Sequence, residues 1–198
     1  MLKLLNNFIV DCSTSWWKTL LLILGFVGTI SALMQFTAEF PAVSGGHEPF
    51  DMQNALTATD IFIQLATYTD QAFELYMRFQ VVDYFFPLFG GLMMATLCAF
   101  SLRALSAKAY AVIVEKKLLL LFLVPTVFDW LENITLLWAV TAWPDQIQIA
   151  ATLAVTAKMA KLATLFISQP VALILLITGL PKWLYMRVTS GSNTNTAS

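Results

Sequence analysis

The residues able to do chemistry stand in apolar surroundings. Asp129, Glu132 and Asn133 lie close together in 118–140, which is otherwise apolar apart from a few threonines. Lys158 and Lys161 follow in the next apolar region, and Asp83 stands at the head of an earlier one. An ionisable side chain near the centre of a membrane-spanning helix costs roughly 2.5–3.5 kcal/mol on insertion scales, so each one needs a partner or a task. At about 100° per residue, Asp129, Glu132 and Asn133 share one arc with Thr126 and Leu136, while Val127, Leu131, Ile134 and Trp138 face the other way. That polar stripe must point into a bundle. Lys158 and Lys161, three apart, also share a face, opposite Thr156, Ala160, Ala163 and Ile167.

A tight turn at Trp143-Pro144-Asp145 makes these two helices antiparallel, which levels Asp129 with Lys161 and Glu132 with Lys158. Two acids and two amines can then neutralise one another. The alternative sends both lysines to the outer interface, where their stems snorkel. Asp83 also has two readings. It is either a third acid lining an outward-facing cavity or, more simply, a solvated residue at a helix start, favoured by the dipole.

The remaining chemistry is thin. His47, Glu48 and Asp51 could in principle hold a metal, but a Gly-rich polar stretch reads first as solvated loop, and no metal site is assigned. Asn133-Ile134-Thr135 matches the glycosylation pattern but lies inside a span, so it should stay unmodified. The two cysteines, Cys12 and Cys98, form no framework, and the sole histidine excludes sites needing several imidazoles. There is no Ser/His/Asp set and no phosphate loop, so no catalytic residue is assigned.

Elements of one kind must position these groups. The 198-residue chain is 59% hydrophobic and 12% charged, against about 25% charged in soluble chains. That composition excludes a soluble enzyme, and 11 basic against 12 acidic residues provide no field for nucleic acid. A spanning helix needs about 20 mostly apolar residues. Four stretches qualify, at about 19–38, 83–103, 118–141 and 147–181, the last with Pro170 as an expected kink. The fold class is therefore an all-α bundle of four transmembrane helices, a single integral membrane domain over 1–188 with a disordered tail at 189–198. The mildly amphipathic start, Met1 to Trp17, reads as a surface-lying segment before a retained anchor.

Basic residues favour the cytoplasmic side. Lys3 and Lys18 precede span one; Arg103, Lys108, Lys116 and Lys117 fill the second connection; Lys182 and Arg187 follow span four. The connection from Glu39 to Val82 carries six acids against Arg78 alone. Both termini are thus expected to be cytoplasmic and this long loop exoplasmic. The loop should be partly helical. Pro41 and Ser44-Gly45-Gly46 mark a turn, Thr59-Asp60 caps a short helix through Ala66, and Thr69-Asp70 starts another that can run into span two. Gly25, Gly28, Gly90, Gly91 and the series Ala150, Ala151, Ala154, Ala157 should let helices approach closely. Trp16, Trp17, Trp143 and Trp183 sit at predicted boundaries; Trp130 and Trp138 do not, and read first as core or lipid contacts.

The runs Asp83-Tyr84-Phe85-Phe86-Pro87 and Asp129-Trp130-Leu131-Glu132-Asn133 resemble those of a group of bacterial four-helix membrane proteins, over about two-thirds of the chain. That resemblance implies a bacterial inner membrane, with an organellar membrane as the alternative, and carries no activity. The layout is also faintly similar to the sterol-binding emopamil-binding and sigma-2-type proteins, which place acids in a membrane cavity. Their histidine-containing catalytic pattern is absent.

Function is then expected at the polar cluster Asp129, Glu132, Asn133, Lys158, Lys161 and Asp83: binding or moving a small amphipathic or lipidic ligand. The alternative is an accessory subunit of a membrane complex, with the charges fixing helix packing. A lipid- or isoprenoid-directed enzyme ranks last, because nearby lysines oppose the raised carboxyl pKa it needs; proton-coupled transport stays open. No cofactor is indicated. The expected partners are membrane lipid, a small amphipathic ligand, other membrane subunits or a second copy of the chain, and no nucleic acid.

Overall fold

The computed structural model describes the backbone of residues 1–192 and the side chains of residues 1–185. Among the described residues the chain is helical without strands. Eight α-helices follow in order: α1 (Leu2–Thr14), α2 (Trp16–Glu39), α3 (Ala58–Leu65), α4 (Asp70–Asp83), α5 (Phe86–Leu105), α6 (Ala107–Glu115), α7 (Val124–Thr141) and α8 (Gln148–Ser192). Short 3-10 turns lie at Phe40–Ala42, Phe50–Met52 and Leu118–Leu123. Four stretches are long and apolar enough to cross a membrane: Trp16–Ala42, Asp70–Leu105, Leu118–Thr141 and Gln148–Tyr185. The second is longer than composition indicates because α4, despite its charges, leads into α5 through only Tyr84 and Phe85. The fourth keeps its helix across Pro170 and Pro181 and continues to Ser192, into the segment expected to be disordered; 193–198 lie outside the described residues.

The chain forms two compact units, with the long helices contributing residues to both. One comprises Met1–Leu22, Gly91–Leu123 and the chain from Leu165 onward; the other comprises Ile23–Gly90 and Val124–Thr164.

In the first unit, α1 buries one face, Asn6, Ile9, Cys12 and Ser13, at helical spacing. Asn6 donates to the Val114 carbonyl (3.2 Å), and Arg103 donates to the Ser13 carbonyl (2.8 Å) while lying 5.9 Å from the centre of the Phe100 ring. Lys182 donates to the Leu105 carbonyl at the end of α5 (2.7 Å), where a cation complements the helix dipole. Gly179 lies so close to α5 that a Cβ there would fall 2.7 Å from the Ser101 Cα.

In the second unit, the core gathers Phe40, Phe50, Ile61, Leu65, Tyr76 and Phe79 against Leu136, Ala139, Ala150, Ala151 and Ala154. Small residues on α8 allow this approach. The rings of Phe40, Phe50, Tyr68 and Tyr76 meet at centroid distances of 5.3–6.0 Å, within the range of favourable aromatic pairs. α3 begins two residues earlier than expected. Thr57, not Thr59, is its cap, accepting from the Asp60 amide (3.2 Å) while Asp60 accepts from the Thr57 amide (2.9 Å), a reciprocal capping box. Thr69 caps α4 as its sequence indicates, accepting from the Ala72 amide. Gly45 and Gly46 hold φ of 77° and 91°, a region costly for residues with a Cβ, and Thr67 closes over Gly45 by donating to the Ser44 carbonyl (2.8 Å). The segment between α2 and α3 is therefore a packed structure, pinned by reciprocal amide bonds between Gln53 and Gln64 (2.8 Å each).

Candidate functional site

Asp83, Asp129, Glu132, Lys158 and Lys161 all fall in the second unit. α7 presents Thr126, Asp129, Glu132, Asn133 and Leu136 inward, each at most 6% exposed, and Val127, Leu131, Ile134 and Trp138 outward. The amphipathic arc that places the acids is the one helical periodicity dictates. Two bonds fix the rotation of α7: Thr126 donates to the Pro87 carbonyl (2.7 Å) and the Trp130 indole donates to the Tyr84 carbonyl (2.9 Å). Trp130 thereby serves as a positioning residue.

α8 brings both lysines inward. Lys161 bridges two acids, 2.8 Å from Asp129 Oδ1 and 2.5 Å from Glu132 Oε2. Lys158 lies 3.1 Å from Glu132 Oε1 and donates to the backbone carbonyls of Phe50 (2.6 Å) and Gln53 (2.8 Å). Two of its ammonium hydrogens are thus bonded to carbonyls and its charge is paired with Glu132, which is how a buried amine offsets its desolvation cost. The lysines do not reach outward to solvent. Lys158 is 3% exposed. The pairing differs in detail from a simple two-by-two match, because Glu132 touches both amines and Asp129 only one.

Asp83 joins this group, which overturns its reading as a solvated residue at a helix start. It is 4% exposed, is the last residue of α4, and accepts from Asn133 Nδ2 (2.8 Å). The same amide nitrogen stands 3.5 Å from Asp129 Oδ2, linking the two acids. The cause is the break at Tyr84 and Phe85: α4 ends there, so its last turn packs against α7 instead of facing water.

Asp51 also departs from the sequence reading. As part of a solvated loop it should face water; instead its carboxylate turns inward and accepts from the Tyr76 hydroxyl (3.0 Å) and Gln80 Nε2 (2.9 Å). Gln80 also donates to the Tyr76 oxygen (2.9 Å). Burial above all, then the neighbouring Glu132, push the Asp51 carboxyl from its ordinary 3.8 up to about 7; Lys161 and Lys158 oppose the shift and Asp129 adds to it. Among the described residues no three His, Cys, Asp or Glu side chains gather to hold a metal, so His47 and Glu48 make no site with Asp51. Tyr76 and Gln80 are not singled out by the sequence, and Asp51 reads there as solvated loop. One signal was available: Tyr76, Gln80 and Asp83 recur at i, i+4 and i+7, a polar stripe on one face of α4.

Neither family models, curated proteins nor solved structures match this chain. The chemistry of the cluster is therefore read from its own geometry. It offers four carboxylates (Asp51, Asp83, Asp129, Glu132), two ammonium groups (Lys158, Lys161) and the amides of Gln80 and Asn133, in a setting from which water is largely excluded.

Proposed function

We propose that this chain is a multi-pass membrane protein whose buried cluster of Asp129, Glu132, Asn133, Lys158, Lys161 and Asp83 binds or moves a small amphipathic ligand through its cationic head. The supporting observation is the excess of buried carboxylates over buried amines, since a site short of positive charge selects a cation. The basic residues flanking the spans and the acidic 39–82 segment support cytoplasmic termini and an exoplasmic first loop, most simply in a bacterial inner membrane. The loop then covers the cluster, with the Phe50 and Gln53 carbonyls on Lys158 as its fastening.

One observation favours a second reading. Lys161 is shared between Asp129 and Glu132, an arrangement that also serves to fix helix register in an accessory subunit of a larger complex. Fluorescence titration with a dansylated alkylamine separates the two. Under the ligand reading, Asp129→Asn and Glu132→Gln weaken binding at least tenfold while the protein still inserts. Wild-type affinity in both variants, together with loss of stability, assigns the cluster to packing.

A further inference from the structure

The four carboxylates are not equally provided for. Lys158 and Lys161 both sit on the α7 acids, Asp129 and Glu132. Asp51 and Asp83 have hydrogen-bond donors but no ammonium group in contact. The ionisable groups facing this pair are Asp129 and Glu132 from α7, Lys158 and Lys161 from α8, Tyr76 from α4, Tyr84 just after it, and Tyr68 between α3 and α4. With every acid ionised, two negative charges would remain uncompensated in a buried setting, a condition far costlier than binding two positive charges.

A second, independent observation points the same way. Asp51 Oδ1, Gln80 Oε1 and Asn133 Oδ1 are buried and accept no hydrogen bond. Gln80 is 2% exposed and Asn133 is fully buried. All three are acceptors left without a donor, and the one nearby unpartnered donor among the described residues, the Tyr68 hydroxyl, bonds to none of them. A proton on a carboxyl remedies both deficits at once, because it removes a charge and creates an O–H donor.

The geometry points to Asp51 and Asp83 as a proton-binding pair, connected by Tyr76, Gln80 and Asn133, from which a cationic ligand displaces a proton as it enters. The connection runs from Asp51 to Tyr76 and Gln80, along one turn of α4 to Asp83, and through Asn133 to Asp129 and Lys161. In the exchange the carboxyl O–H bond breaks and its electron pair stays on the carboxylate. The proton leaves to water, and the ammonium head of the ligand takes its place. The net charge of the site does not change. Asp51, with a carboxyl that titrates near neutrality, is suited to release that proton under ordinary conditions. Proton binding itself does not depend on the ligand reading; only the exchange rests on it.

Infrared difference spectra of the full-length protein in lipid nanodiscs, between alkaline and neutral pH, test the pair. The expected result is a protonated-carboxyl carbonyl band gained at neutral pH, diminished in Asp51→Asn and in Asp83→Asn. The band should persist in Asp60→Asn, whose carboxylate caps α3 at the surface. Absence of the band from the wild-type protein overturns the proposal, as does a band as intense in both variants as in the wild type. The wild-type spectrum decides the first point without any variant having to fold. No ligand is present, so failure of the dansylated alkylamine to bind would defeat the ligand reading and leave this band in place.

Discussion

At the scale of single residues, the ammonium of Lys161 is the group on which the buried acids depend most. It touches Asp129 and Glu132 together, and its removal leaves two carboxylates with one remaining amine between them. Breaking a buried ion pair from one side costs about 3–5 kcal/mol, mainly through the charge left behind. Lys161→Met should therefore lower the thermal unfolding midpoint in mild detergent substantially, and adding Glu132→Gln should recover part of the loss. If the double variant is no better than the single one, the penalty does not come from stranded charge. Asp51 makes a prediction about pH. Its folded-state carboxyl titrates near 7 against 3.8 ordinarily, so the folded state holds the proton more tightly. The stability this supplies is fully present below pH ~4 and is lost as pH rises toward ~7. Denaturation followed between pH 4 and pH 8 should show stability falling across that window, and Asp51→Asn should flatten the slope.

At the scale of elements, the glycines differ in what they do, although the sequence treats them as one class. A Cβ at Gly179 would meet the Ser101 backbone, which cannot swing aside, whereas one at Gly25 would meet the Phe89 ring at 2.6 Å, and one at Gly28 meets nothing within 4 Å. Overpacking typically costs about 1–3 kcal/mol, and helix interiors gain about 0.5–1 kcal/mol from Gly to Ala. The expected order of unfolding midpoints is Gly28→Ala highest, then Gly25→Ala, then Gly179→Ala. An equal effect at all three positions would remove the close approaches as their cause. The ordering of the segment between α2 and α4 is likewise an element-scale result. Two capped helices, a Gly45-Gly46 turn and the Gln53–Gln64 pair make it rigid enough to place carbonyls on Lys158.

At the scale of the whole molecule, the proposed orientation rests on charge outside the spans. A cysteine introduced at Gly46 should react with a membrane-impermeant maleimide added to intact cells, and one introduced at Lys108 should react only after the membrane is opened. Native Cys12 and Cys98 are both buried and should contribute little background. Labelling at Lys108 in intact cells would reverse the orientation proposed. A reversed orientation would leave the internal geometry of the cluster as it is, but the ligand would then approach from the other side.

Much of the architecture was legible in the residues themselves. A polar arc on α7 and a lysine pair on α8 obey helical periodicity, and uninterrupted apolar runs of sufficient length declare spanning helices whatever their neighbours. Thr69 announced the start of α4 by the same local logic. What local pattern could not reveal is where distant backbone turns. Asp51 belongs to a Gly-rich polar segment and reads as solvated, yet a fold-back across Pro49–Gln53 delivers its carboxylate to Tyr76 and Gln80. Asp83 reads from sequence as either a cavity acid or a solvated helix start, because the residue that contacts it, Asn133, lies fifty positions on. Periodicity determines which face of a helix is polar. Only the tertiary structure decides which polar faces meet, because that depends on how each helix is rotated and where the chain breaks between them.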